Sequence, residues 1–190
     1  MKVSSFLRNN VGIRELIVEL YGQRLLRKSA LNIRGGAGVF ERVMSGKGYL
    51  NALEIGTYRG VAAAEMAQYA AQVTTIDLRH GKLERDGEKF DRGAFWRSLG
   101  VGNIQLKLIN DDAEKARLIN GLDFDFAFID GAHDQSVRND FELVKRCGRV
   151  LFHDYDPRGQ KELDYVYDFV NTLPKRQVQV LDIFALWSSA

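Results

Sequence analysis

The chain has 190 residues, of which 45% are hydrophobic, so it is long enough to form a single domain with a sizeable core. Its 27 basic and 25 acidic residues nearly balance and neither sign gathers into a long block, so nucleic-acid binding is not supported. The single Cys147 excludes an intramolecular disulfide framework, no apolar run approaches the roughly 20 residues of a membrane span, and we expect a cytoplasmic protein.

The first 48 residues are predicted to form an N-terminal helical extension. Within residues 5–28, Leu16, Leu20 and Leu25 recur at helical spacing, which predicts one or two amphipathic helices. The sheet predicted to follow already has a helix between each pair of strands. The apolar stripe must therefore pack on the edge of the sheet, over its cleft or on a second subunit. We expect these helices to cover the substrate-binding cleft of the sheet or to form a homodimer contact.

Residues 49–190 alternate between strands and helices. Repeated β-α-β-α order with apolar strands predicts an α/β fold, a Rossmann-like three-layer sandwich in which helices cover both faces of a mostly parallel sheet. The last segment, residues 177–187, is one long strand or a hairpin that turns near Asp182. The first five strands are predicted at about 50–55, 73–77, 104–109, 124–129 and 149–152. The helices are predicted at about 39–44, 60–71, 94–99, 112–119, 135–146 and 160–173.

The first two strands and the glycine-containing turn between them have the layout of a nucleotide-binding unit that ends in Asp77. A dinucleotide fingerprint that begins at Gly56 needs glycines at the positions of Tyr58 and Val61. The loop therefore lacks the glycines that let a backbone close around a pyrophosphate. It keeps Gly56, where a ligand can approach the backbone, and Gly60, where the helix leaves the strand. Such a loop suits an adenosyl ligand without phosphates, with S-adenosylmethionine as the leading candidate, and disfavours a nicotinamide oxidoreductase.

Acidic residues lie at or near the end of five predicted strands, where open α/β sheets bind their ligands. Asp77 is placed to accept both ribose hydroxyls, or is a solvated turn acid. Asp111 or Asp112 accepts the adenine amino group, or caps the following helix. Glu54, inside the first strand, is a site residue or a structural acid. The expected cofactor-binding residues are Glu54, Gly56, Thr57, Tyr58, Gly60, Asp77, Asp111, Asp112 and Asp130.

Three motifs carry a resemblance to a known family. Glu54-Ile-Gly56-Thr-Tyr58-Arg-Gly60 resembles the Glu-x-Gly-x-Tyr-x-Gly loop of the catechol-type O-methyltransferases. The segments at 128–133 (FIDGAH) and 151–155 (LFHDY) look more like the branch that contains the macrocin-type enzymes. The chain thus resembles a class I S-adenosylmethionine-dependent methyltransferase. The resemblance implies O-methylation of a small hydroxylated acceptor, with residues 49–190 as the cofactor-binding domain. A non-catalytic S-adenosylmethionine-binding protein of the same fold is the alternative.

The same resemblance implies a metal site and a catalytic base. In catechol-type enzymes two Asp and one Asn hold magnesium; Asp130 and Asp154 match the Asp positions, and Tyr155 stands where the Asn would be. A phenol is a poor ligand for a hard cation, so the site holds Mg²⁺ or another divalent cation at Asp130 and Asp154, or is metal-free. The family's catalytic Lys is replaced by His133. An imidazole can deprotonate a hydroxyl at neutral pH, which makes His133 the predicted base beside Asp130. The alternative for His133 is a helix-capping or surface histidine.

Overall fold

A seven-stranded sheet forms the centre of the described part of the chain. The structure, a computed structural model, describes residues 13–21, 38–81, 89–132, 134–155 and 164–190. The strands are β1 (Tyr49–Ile55), β2 (Ala70–Leu78), β3 (Ile104–Ile109), β4 (Phe126–Ile129), β5 (Arg149–Phe152), β6 (Val178–Leu181) and β7 (Phe184–Ser188). The helices are α1 (Ile13–Tyr21), α2 (Val39–Met44), α3 (Val61–Met66), α4 (Arg92–Ser98), α5 (Asp112–Asn120), α6 (Ser136–Val144) and α7 (Asp164–Thr172).

The strand order is β3-β2-β1-β4-β5-β7-β6. The strands β1 to β5 are parallel, and β7 is antiparallel to both β5 and β6. The chain builds outward from β1 to β3 and then returns to place β4 on the other side of β1. This reversal makes a topological switch point, and ligands of open α/β sheets bind beyond the carboxyl ends of the strands at such a point. The final strands form the hairpin alternative, which turns at Asp182 with a φ of 62°.

Helices cover both faces of the sheet, as the sequence predicts. Successive residues of β4 alternate between two cores: Phe126 and Phe128 pack with α1 to α4, whereas Ala127 and Ile129 pack with α5 to α7. This alternation is the period of two that a strand buried on both faces requires. The Rossmann-like three-layer prediction is confirmed.

The helix predicted at 60–71 is shorter in the structure, and the prediction of its length was wrong. The helix α3 ends at Met66, and β2 already begins at Ala70. The side chain of Asn103 donates hydrogen bonds to the carbonyls of Ala67 and Ala70, at 3.0 Å each. A carbonyl that a distant side chain satisfies no longer needs the next helical turn, so this tertiary contact helps to end the helix.

The apolar face of α1 differs from the predicted stripe. Leu16 and Ile17 are buried, but Leu20 is 49% exposed. Leu25 lies outside the described residues. The ring of Tyr21 packs edge-on against Phe95 of α4, with 5.2 Å between centroids. The buried side of α1 is therefore its Leu16–Ile17 side. Among the described helices, none is long and apolar enough to cross a membrane.

Candidate active site

A row of buried polar side chains lies beneath the loop that follows β1. Thr75 on β2 donates a hydrogen bond to Glu54 on β1, and the hydroxyls of Thr57 and Thr75 are 2.5 Å apart. Burial raises the pKa of Glu54 well above its usual value, which favours the neutral carboxyl. Among the described residues nothing forms a hydrogen bond with Glu54 Oε1. The row therefore joins the loop to the strands below it and leaves one unsatisfied carboxyl oxygen there.

Both glycines of the loop are required by close approach of neighbouring groups. Gly56 has a φ of 98°, and a Cβ at this position would lie 2.1 Å from the carbonyl oxygen of Asp130. Gly60 has a φ of 76°, and its Cβ would lie 2.5 Å from the ring of Trp96. The close approach that the sequence assigns to a ligand at Gly56 is thus made by the backbone of Asp130. It brings the β1 loop and the end of β4 into contact.

Asp77 at the end of β2 is held by two donors. Arg92 Nη2 lies 2.5 Å from Asp77 Oδ2, and the backbone amide of Leu78 donates to Oδ1 at 3.0 Å. The same guanidinium donates through Nε to the carbonyl oxygen of Tyr58 at 2.5 Å. The side chain of Asp77 is 14% exposed, so the solvated-turn alternative does not describe it. Arg92 ties the β1 loop to the acid expected to bind the ribose.

The ends of β4 and β5 bring two carboxylates and an imidazole together. His153 Nδ1 lies 2.9 Å from both Asp130 Oδ1 and Asp154 Oδ2. Burial alone lowers the pKa of His153, but the two carboxylates outweigh it and raise the pKa to about 10. At neutral pH the imidazole is therefore a cation between two anions. The ring also packs on Phe184, with 4.9 Å between centroids.

These three side chains are also the described group that could hold a metal ion. At the position of the third family ligand, the Tyr155 hydroxyl donates to Asn171 and its ring packs on Tyr167, and the next residue, Asp156, lies outside the described residues. Magnesium takes oxygen ligands, whereas a mixed set of carboxylates and imidazole suits a transition ion such as Mn²⁺. The donor set therefore does not fit the oxygen-only magnesium pattern.

Of the remaining predicted residues, the structure describes Asp111 and Asp112, which lie at the start of α5. Asp111 caps α5, since its Oδ1 accepts from the amide of Glu114 at 2.7 Å. Asp112 is exposed and pairs with Lys115 at 2.8 Å. His133 lies outside the described residues. Its neighbour Asp134 accepts from the amide of Ser136 at the start of α6.

Sequence reasoning gave no role to Arg92, favoured a core or covering position for Trp96, which is buried, and left His153 undecided between the core and the site. Both residues are on α4, which follows a charged segment without a motif, and their partners in the β1 loop, Tyr58 and Gly60, are more than 30 residues away. His153 directly follows the last residue of β5 and directly precedes Asp154, so its position at a strand end gave a local signal for the site.

Comparisons with known proteins agree with this geometry. A family model described as a methyltransferase domain matches residues 53–155, which span the loop, Asp77, Asp130 and Asp154. A search of curated proteins gives no match.

Solved structures similar to the chain include an O-methyltransferase of Bacillus cereus in complex with SAH. It is 15% identical, with a TM-score of 0.63 over 98% of this chain and 95% of that one. The O-methyltransferase TomG of Streptomyces achromogenes, involved in tomaymycin synthesis and solved with SAM, is also similar. It is 17% identical, with a TM-score of 0.64 over 98% of this chain and 94% of that one. These likenesses support the fold, and the family match covers more than half of the sequence. The chain belongs to the methyltransferase-domain family.

Proposed function

We propose that this methyltransferase uses S-adenosylmethionine to methylate a hydroxyl group of a small acceptor. The observation that carries the proposal is the convergence of the Gly56–Gly60 loop, Asp77 and Asp130. They lie at the carboxyl ends of β1, β2 and β4, which are neighbours at the switch point. The sequence-similar family and the S-adenosyl ligands named for the two structural neighbours support the same reading.

The proposed cofactor residues divide by the part of the ligand that they contact. The backbone from Gly56 to Gly60, with Thr57 and Tyr58 between, borders the amino acid and sulfonium portion. The hydrogen-bonded row of Glu54, Thr75 and Thr57 supports this loop from the strands below it. Asp77 accepts the ribose hydroxyls, and Asp111 or Asp112 accepts the adenine amino group. The absence of a pyrophosphate-binding glycine pattern fits this ligand better than NAD.

The charges at the ends of β4 and β5 suit a cationic ligand. Asp130 and Asp154 carry two negative charges, and protonated His153 carries one positive charge, which leaves the trio with a net charge of about −1. A sulfonium is attracted to such a site. When bound, the cofactor supplies a methyl group activated by this sulfonium.

His133 is the proposed general base. Its imidazole takes the proton of the acceptor hydroxyl, and the acceptor oxygen bonds to the methyl carbon as the carbon–sulfur bond breaks. Asp130, three residues earlier, orients the acceptor at the strand end. The raised pKa of His153, about 10, favours a protonated ring at pH 7 and so supports His133 over His153 as the base.

The second part of the proposal concerns which cation lies between Asp130 and Asp154, the protonated His153 ring or a divalent metal ion. Nδ1 of the protonated His153 ring already lies 2.9 Å from an oxygen of each carboxylate, so no step above is routed through a metal. A divalent ion at the same carboxylates competes with this imidazolium, and water completes its shell unless His153 loses its proton and becomes a ligand. Anomalous scattering from a manganese-soaked crystal distinguishes the two. A peak beside both carboxylates supports the metal, and its absence supports the imidazolium.

We propose that a helical extension of residues 1–48 precedes a cofactor-binding domain of residues 49–190. The proposed partner is a small-molecule acceptor, and we expect no nucleic-acid partner.

The exposed Leu20 on α1 supports a homodimer contact. Light scattering of a Leu20→Glu variant tests it: a shift from dimer to monomer supports the contact, and an unchanged mass contradicts it.

Transfer of a radiolabelled methyl group to a panel of catechols and simple phenols tests the function. His133→Ala should slow turnover by about 10²–10⁴-fold, and the loss should shrink at high pH, where the acceptor ionises unaided. His80→Ala, which changes an exposed histidine in the turn after β2, is the control. An acceptor methylated at the parent rate by His133→Ala at pH 7 contradicts the base assignment. Cofactor binding without transfer to any acceptor supports the non-catalytic alternative.

A further inference from the structure

Arg92 links two elements of the cofactor site that are far apart in sequence. Its guanidinium lies 2.5 Å from Tyr58 O in the β1 loop and 2.5 Å from Asp77 Oδ2 at the end of β2. Only 6% of the side chain is exposed. One buried group therefore fixes the distance between the loop backbone and the acid assigned to the ribose.

A second side chain of α4 holds the same loop. Trp96 Nε1 donates to the carbonyl oxygen of Gly60 at 2.8 Å, and the ring packs where a Cβ at Gly60 would be. The helix is itself anchored, because Asp91 accepts from the amide of Ala94 and Phe95 is buried in the core. The backbone that carries Arg92 is thus fixed, and α4 donates hydrogen bonds to two carbonyl groups of the loop, those of Tyr58 and Gly60.

The chemistry of the Arg92–Asp77 pair suits a positioning role. Arginine presents its donors in a rigid planar fork, so one side chain can serve two acceptors with fixed geometry, which a lysine ammonium cannot. The Leu78 amide holds the second oxygen of Asp77 at 3.0 Å.

We propose that Arg92 is a positioning residue of the cofactor site, which holds Asp77 and the Tyr58 carbonyl in the arrangement that receives the ribose hydroxyls. The inference rests on the proposed use of an S-adenosyl cofactor. Arg92 acts through Asp77 on the ribose, and its contribution to affinity depends on the two hydroxyls of the ligand.

The test measures calorimetric affinities of S-adenosylhomocysteine and of its 2′,3′-dideoxy analogue for the parent protein and for Arg92→Met. We expect Arg92→Met to weaken S-adenosylhomocysteine by about 10-fold or more, as loss of one charged hydrogen bond does, and to weaken the analogue less than about 2-fold. Arg92→Lys keeps the charge and should show the same selective loss. Arg97→Ala, on the same helix with a side chain 73% exposed, is the control and should bind both ligands as the parent does.

The outcomes separate the two levels of the argument. A parent protein that binds neither ligand overturns the proposed function and this inference with it. Equal losses for both ligands in Arg92→Met and Arg92→Lys show that Arg92 only stabilises the loop. Full affinity in Arg92→Lys shows that charge alone matters. Either result overturns the positioning role while leaving the cofactor assignment standing, and Arg92→Lys decides the matter if Arg92→Met does not fold.

Discussion

Gly56 offers the sharpest test of how the β1 loop is built. A Cβ at this position would lie 2.1 Å from Asp130 O, 2.6 Å from Asp130 C and 2.9 Å from Gly131 Cα. All three atoms are backbone, so no side-chain rotation relieves the contact. The φ of 98° adds strain of about 1–3 kcal/mol, and overpacking adds about 1–3 kcal/mol. Gly56→Ala should therefore lower the free energy of unfolding by roughly 2–6 kcal/mol.

Gly100→Ala is the matched control for this substitution. Gly100 has a φ of 69°, but no atom lies within 4 Å of a Cβ built there. It should lose only about 1–2 kcal/mol, the cost of a left-handed alanine. Urea denaturation measures both losses from the midpoint and slope of the transition. Equal losses for the two variants would refute the argument that Gly56 is required by the backbone of Asp130.

Three further predictions concern charges at and near the site. Asp77→Ala should weaken S-adenosylhomocysteine by about 1.5–3 kcal/mol, because the ribose loses a charged acceptor; an unchanged dissociation constant in calorimetry would contradict this role. Because burial raises the pKa of Glu54, its stabilising contribution is complete below about pH 4.5 and is lost as the pH rises through the raised value. Glu54→Gln should flatten the dependence of the urea midpoint on pH above 4.5, and parallel profiles would count against it. Lys115 and Asp140 form a buried pair at 2.5 Å between α5 and α6, so Lys115→Met should cost about 3–5 kcal/mol. The double variant Lys115→Met/Asp140→Leu should recover much of the lost free energy of unfolding in the same assay. A Lys115→Met variant as stable as the parent would contradict a stabilising role for the pair.

The sequence predicts the order of strands and helices along the chain, because each buried strand is a short apolar run bounded by turn residues. Two strands, at 104–109 and 149–152, have the predicted bounds. The same pattern places Asp77, Asp130 and Asp154 at one edge of the sheet, because parallel strands end on the same side. These inferences need only local periodicity and the handedness of β-α-β crossovers.

Contacts between distant residues explain what the sequence did not predict. The helix after the loop is shortened by Asn103, which follows its last residue by 37 positions, and no local propensity encodes that contact. Arg92 likewise meets Asp77 only after β2 and α4 have packed. Gly56 was correctly expected to allow a close approach, but the group that approaches it is the backbone of Asp130. A glycine in the sequence does not reveal whether a ligand or another part of the backbone needs the space.

The central claim is that the site binds an S-adenosyl cofactor and no dinucleotide, and calorimetric titration of the parent protein tests it most directly. S-adenosylmethionine and S-adenosylhomocysteine should each bind saturably at one site per chain, while NAD should give no binding heat under the same conditions. Tight binding of NAD without any response to S-adenosylmethionine would contradict the account.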